Sequence, residues 1–185
     1  TSLLSLSISK KARLKYKLAE GLPMIKADET QLRQVVMNLI TNASESLVNG
    51  SGDIELCTSV VTCNEEYFNN LTLVPENMVM GDYVCLEVCD TGCGMDEETK
   101  NKIFDPFFTT KFTGRGLGMA AALGIIRGHH GALSLTSELG SGSCFQIYLP
   151  VSQQTTSQQN DNNIDDPVLK VDGSILLVDD EPVIR

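Results

Sequence analysis

The sequence predicts an α/β fold, an α+β two-layer sandwich in which helices pack on one face of a mixed β-sheet. Three observations predict it. Two stretches, 28–50 and 117–127, place apolar residues at helical spacing. Short apolar and β-branched runs recur around them, at 53–63, 82–90, 131–139 and 142–150. With 42% hydrophobic residues in 185, the chain can also bury a core of ordinary domain size. That core must be mostly Leu, Ile, Val and Met, because aromatics make up 5% and Trp is absent.

LKYKLAEGLPMIKA (14–27) holds short β-compatible runs broken at Gly21-Leu22-Pro23, and predicts a strand pair. Asp28 followed by Gln31 predicts a capping box, and the helix it opens runs to about Asn49-Gly50. Leu32, Val35, Val36, Leu39, Ala43 and Leu47 form its core stripe. DIELCTSVVTC and DYVCLEVCD read as strands, with residues 64–81 between them as a hairpin loop or insertion. Asp96–Ile103 predicts a short helix and Leu117–Arg127 a long apolar one ending near Gly128. GALSLTSEL and GSCFQIYLP then give two strands. After Pro150 the composition turns polar. The expected organisation is therefore the end of a connector over 1–13, one domain over 14–150, a linker over 151–173 and a new strand-like start over 174–185.

A formal charge of −10 argues against a nucleic-acid groove, which needs clustered Lys and Arg. No apolar run reaches the roughly 18 residues that span a bilayer. The first sixteen residues lack the order of a signal peptide. Cys57, Cys63, Cys85, Cys89, Cys93 and Cys144 form no CxxC pair and only two His are present, so no zinc site is expected. Reduced, structural thiols and a cytoplasmic compartment are the expectation, with membrane attachment of a parent protein left to other segments.

Three stretches carry chemistry. Asn38, Asn42 and Glu45 form a second line on the first helix, off the apolar stripe. Taken alone the line reads as a solvated face; the functional alternative is an Asn oxygen offered to a hard cation. DTGCGM (90–95) follows a buried-type strand, so Asp90 can accept from an exocyclic amino group, while Gly92 and Gly94 admit a flat ring. GRGLGM (114–119) precedes a helix, the arrangement in which backbone N–H groups and the helix dipole meet an anion. It is neither a P-loop nor a dinucleotide fingerprint. Lys111 and Arg115 add positive charge, on a segment suited to closing over a ligand.

In this order, NLITNASESL, DTGCGM, FDPFFTTKFTGRGLGM and GSGSCFQIYLP resemble the successive nucleotide-binding boxes of the ATP-binding catalytic domain of sensor histidine kinases, of the GHKL superfamily with its Bergerat fold. The resemblance covers about residues 14–150. SILLVDDEP resembles the opening of a receiver domain, as in a hybrid kinase, with Asp179 and Asp180 as the start of its acidic cluster. The resemblance implies ATP and Mg²⁺ as cofactors. Asn42 would hold the metal with Asn38 beside it, and Asp90 would accept from adenine in a pocket shaped by Gly92 and Gly94. Gly114, Gly116 and Gly118 would close on the phosphates. Lys111 and Arg115 would act from the lid, making them catalytic residues together with Asn38 and Asn42. Glu45, Met95, Phe104, Thr109, Thr110, Leu117 and Met119 complete the implied nucleotide site, and Phe104, Phe107 and Phe108 would anchor the lid or dock on partner helices.

In relatives that hydrolyse ATP, a Glu four residues before the metal Asn activates water; here that position is Asn38, which cannot act as a general base. The implied reaction is γ-phosphoryl transfer to a histidine on a separate dimerisation hairpin, the signal then passing to a receiver aspartate. His129 and His130, at the far end of the glycine-led helix, are expected to be structural. Autophosphorylation by this chain alone is not expected, and a monomer is. The alternatives are a GHKL-type ATPase and a non-catalytic nucleotide-binding module.

Overall fold

A computed structural model of the chain describes residues 9, 11–75, 78–111 and 114–152. The expected linker from Gln153 on, the receiver-like start with Asp179 and Asp180, and most of the connector lie outside them. Among the described residues the order is β1 (Ala12–Leu18), α1 (Glu29–Ser46), a 3₁₀ turn (Val48–Gly50), β2 (Gly52–Cys63), α2 (Glu65–Asn69), β3 (Gly81–Asp90), α3 (Glu97–Lys102), α4 (Gly118–Gly128), β4 (Ala132–Glu138) and β5 (Gly142–Pro150). The strands form one mixed sheet in the order β1-β2-β3-β5-β4. Only β1 and β2 pair parallel; the other three neighbours are antiparallel.

α1 starts where its cap is. Asp28 Oδ1 accepts from the Gln31 backbone N–H at 2.9 Å, satisfying a donor that the first turn leaves orphaned. Val35, Leu39, Ile40, Ala43 and Leu47 are buried against the sheet. The helix ends earlier than its apolar pattern predicts, at Ser46, and a 3₁₀ turn takes over with Asn49 at positive φ. The predicted strand pair over 14–27 is β1 alone. Gly21 turns the chain, and the segment beyond meets the sheet only as a single bridge between Ile25 and Val151.

Strand alternation sorts the sheet into two faces. Ile54, Leu56, Val88, Phe145, Ile147 and Leu133 point to the helices and join Met119, Ala122 and Ile126 of α4 in the main core. The long helices therefore cover one face, as the order of helical and strand-like segments predicted. The other face is not bare. Cys63, Tyr83, Cys85, Ala132 and Tyr148 form a second cluster there, under Tyr67 and Phe68 of α2. This short helix lies in the segment predicted to be a loop, and Asn64 Oδ1 caps it by accepting from the Tyr67 N–H. Beyond the cluster the same face carries Arg13, Lys15 and Lys17 paired with Asp53 and Glu55.

The two long helices run antiparallel. The Asp28 backbone N–H donates to His129 Nε2 at 3.0 Å at one end, and Asn38 Nδ2 donates to the Gly118 carbonyl at 3.0 Å further along. α1 has 18 residues and α4 has 11, so the last two turns of α1 run on past the start of α4. That overhang faces open space rather than another helix.

Candidate nucleotide site

The space beside the overhang is a cavity of about 490 Å³, within the usual range for a small-molecule site. Its wall includes Asn42, Glu45, Asp90, Gly94, Met95, Thr109, Thr110, Lys111, Gly114, Arg115, Gly116, Leu117, Gly118 and Met119 of the residues singled out from the sequence. Three others stand behind the wall. Asn38 spends its amide on the Gly118 carbonyl, Gly92 is buried under Ser46, and Phe104 packs against the main core.

Asp90 ends β3 and is 8% exposed. Its Oδ1 accepts from the Gly92 N–H and lies at the same 2.8 Å from Ser46 Oγ. The Ser143 N–H adds a third donor. Ser46 has one proton and a second acceptor within reach, the Ala43 carbonyl at 2.7 Å; an ionised Asp90 is the stronger claimant. Burial pushes the Asp90 carboxyl above its ordinary value, against the pull of these three donors. The result is an acceptor whose position is fixed before any ligand arrives. Ser46 and Ser143 fall inside NLITNASESL and GSGSCFQIYLP, yet neither was given a role there, because one is placed by the helix end and the other by the β3–β5 register.

Gly94 has φ +65, and a Cβ there would run into the Glu138 carbonyl. The glycine is required by backbone packing, which is a different reason from the flat-ring approach the sequence raised. At the opposite rim Gly116 has φ +66, with the backbone of Phe107 and Phe108 where a Cβ would go. A hydrogen bond from the Phe107 N–H to the Gly116 carbonyl closes this loop onto itself. Phe108 lines the cavity, whereas Phe107 is 75% exposed.

α4 begins without a side-chain cap: Leu117 holds the N-cap position and offers no acceptor. The first N–H groups of the helix are therefore available to an anion at the cavity rim. Facing them, the Lys111 ammonium lies 3.2 Å from Asn42 Oδ1 and 2.5 Å from the Glu45 carboxylate. Asn42 and Glu45 of the polar line on α1 thus face the cavity and the lid, while Asn38 is engaged with Gly118. The two His residues are remote from all this. His129 Nδ1 meets the Ile125 carbonyl at 2.8 Å while Nε2 accepts from Asp28, so the ring ties one helix end to the other.

One expectation fails on the thiols. Cys89 and Cys144 are direct partners across β3 and β5 and form a disulfide, where reduced cysteines were expected. Strand register joined residues that sequence spacing keeps 55 apart. Cys57, Cys63, Cys85 and Cys93 are free thiols, and burial pushes Cys85 up to about 11, as expected for structural cysteine.

Residues 27–153 match the family described as "Histidine kinase-, DNA gyrase B-, and HSP90-like ATPase". The chain is 38% identical over 150 residues to the sensor kinase CckA of Brucella abortus, and 32% identical over 149 residues to sporulation kinase E of Bacillus subtilis. Each alignment takes in 80% of this chain but only 15% and 18% of those proteins. Among solved structures, full-length ShkA in complex with AMPPNP gives a TM-score of 0.62 at 27% identity, covering 82% of this chain and 28% of that one. The nucleotide-free catalytic domain of histidine kinase ThkA gives 0.60 at 28% identity, covering 81% of this chain and 86% of that one.

Proposed function

Because the chain belongs to the histidine kinase-, DNA gyrase B- and HSP90-like ATPase family, as the ATP-binding catalytic domain of a histidine kinase, we propose that it binds Mg-ATP in this cavity and presents the γ-phosphoryl group to a histidine on a separate helical hairpin. The observation that carries this reading is the prearranged Asp90 carboxyl at one end of the cavity, opposite an uncapped helix start at the other. The first suits an adenine amino group, the second a phosphate chain.

Each residue then has a physical task. Asp90 accepts from adenine, held in place by Ser46, Gly92 and Ser143. The α4 N-terminus and the glycines before it approach the phosphates through backbone N–H groups. The Asn42 and Glu45 oxygens already hold one cation, the Lys111 ammonium, so their donor chemistry fits Mg²⁺, which these two residues would hold. When bound, that ion would neutralise charge on the phosphate oxygens. Lys111 and Arg115 lie on the lid and can swing to phosphate. Asn38 locks α1 to α4 through its amide and can take no proton from water, which supports transfer over hydrolysis. Positioning and charge neutralisation are what phosphoryl transfer asks of a protein, and the attacking group comes from the acceptor.

A cytoplasmic location follows from the use of ATP; among the described residues no helix is long and apolar enough to cross a membrane. SILLVDDEP suits the opening of a receiver domain, whose aspartate would take the phosphoryl group on from that histidine. The test is calorimetric titration of the chain with ATP, with and without Mg²⁺, for the wild type, Asp90→Asn and Asn42→Ala, followed by incubation of the Mg-ATP complex with a histidine-bearing kinase hairpin. Binding lost in the first variant, Mg²⁺ dependence lost in the second, and acid-labile phosphate on the hairpin are expected. A folded wild type that binds no ATP would sink the proposal. Steady turnover of ATP without any acceptor would replace it with the ATPase reading.

A further inference from the structure

The sheet face away from the nucleotide carries a second chemical cluster. Alternation puts Glu55, Cys89, Cys144 and Thr136 in one cross-strand row there, with Cys57, Glu87, Gln146 and Ser134 in the next. At its centre, the Cys89 and Cys144 sulfurs and a Glu87 carboxylate oxygen all lie within 4.8 Å of one another, each residue half-buried. Gln146 Nε2 donates to Glu87 Oε2 at 2.6 Å and so fixes the carboxylate from behind. None of these side chains takes part in the nucleotide site.

We propose that Cys89, Cys144 and Glu87 are a binding site for a thiophilic divalent cation of the Zn²⁺ type, available when the Cys89–Cys144 disulfide is reduced. Two thiolates and a carboxylate are a recognised donor set for such an ion, and three protein ligands leave a fourth position for water. The Gln146 amide supplies the outer contact that orients a ligating carboxylate. The chemistry balances through a named reductant: a phosphine breaks the S–S bond, takes oxygen from water to become its oxide, and the two hydrogens of that water complete the two thiols. Binding of the cation then displaces both protons to solvent. Disulfide and metal site are mutually exclusive states of the same pair. The absence of CxxC spacing hid this arrangement, because the strand register supplies the proximity.

The test uses the whole chain, reduced with a phosphine, freed of reductant without air, and titrated with Cd²⁺ in the absence of ATP and Mg²⁺. One Cd²⁺ per chain is expected, with a thiolate-to-cadmium absorption band and two thiols shielded from a thiol reagent; Zn²⁺ should displace it. Cys89→Ser and Cys144→Ser should each abolish the band, and Cys57→Ser should keep it. Glu87→Gln retains both thiols and should weaken binding at least tenfold; it decides the matter if the cysteine variants do not fold. The proposal is overturned by any of four results. These are a disulfide that resists reduction in the folded chain, thiols fully reactive at one equivalent of Cd²⁺, a band that survives Cys89→Ser, or Glu87→Gln binding as tightly as the wild type.

Discussion

The two ends of the cavity are built in opposite ways. At the floor, Asp90 is buried, ends a central strand, and meets three donors from three different segments. At the rim, Lys111 is held by one exposed carboxylate and one amide oxygen, and Arg115 and Leu117 face solvent. A group that selects one base must stand still, since any reorientation would be charged against binding. A group that follows a phosphate must move, and a partly exposed ion pair is weak enough to let go.

That contrast can be broken most directly at the floor. Asp90→Asn should weaken ATP binding about 100-fold, equivalent to ~2.7 kcal/mol, by replacing a fixed acceptor with an amide whose N–H₂ group opposes the donors around it. Calorimetry reads the loss; an affinity within threefold of wild type would show that Asp90 does not meet the base. Next in size, Gly94→Ala should lower folding stability by about 2–3 kcal/mol, because φ +65 and the Glu138 carbonyl leave no place for a methyl group. Gly118→Ala, at the rim, is the control: its nearest neighbour would be Asn38 at 3.7 Å, so thermal denaturation should be little changed.

Ser46→Ala sharpens the comparison. It leaves Asp90 with two donors and should cost about 1 kcal/mol, a roughly fivefold loss of ATP affinity with the fold intact. Lys111→Ala should shift folding stability by less than about 1 kcal/mol in urea denaturation while still reducing ATP affinity, since the ion pair it breaks is exposed. The smallest effect lies on the far sheet face. Arg13 and Lys15 hold the Asp53 carboxyl down at about 2 by hydrogen bonds and charge. A carboxyl depressed on folding stabilises above its ordinary value of 3.8 and loses that contribution as pH falls towards 2. Asp53→Asn should therefore lower stability slightly at neutral pH, flatten the profile between 3.8 and about 2, and converge with the wild type below that window, as urea denaturation at a series of pH values would read.

What could be read from the sequence follows from what is local. The Asp28 cap, the stripe from Val35 to Leu47 and the placement of the later strands depend on neighbours within a few residues, and the structure reproduces them. So does the order of the boxes, which pointed to the family that residues 27–153 match. Features set by strand register were not legible. Ser143 beside Asp90, the Cys89–Cys144 pair and the second cluster under α2 all join residues far apart in the chain. Asn38 and Gly92 were singled out by helical spacing and by a turn motif, yet neither lines the cavity: one ties the helices together and the other seats Ser46.

The antiparallel helices carry one more consequence. α1 exceeds α4 by seven residues, about 10 Å of helix, and the cavity opens beside that excess. Its depth is thus a difference between two lengths, a gauge written into the scaffold rather than into the lid. Adding a turn to both helices would slide the recess along the sheet and keep its measure. A turn added to the front of α4 alone would fill it, with every side chain of the lid unchanged.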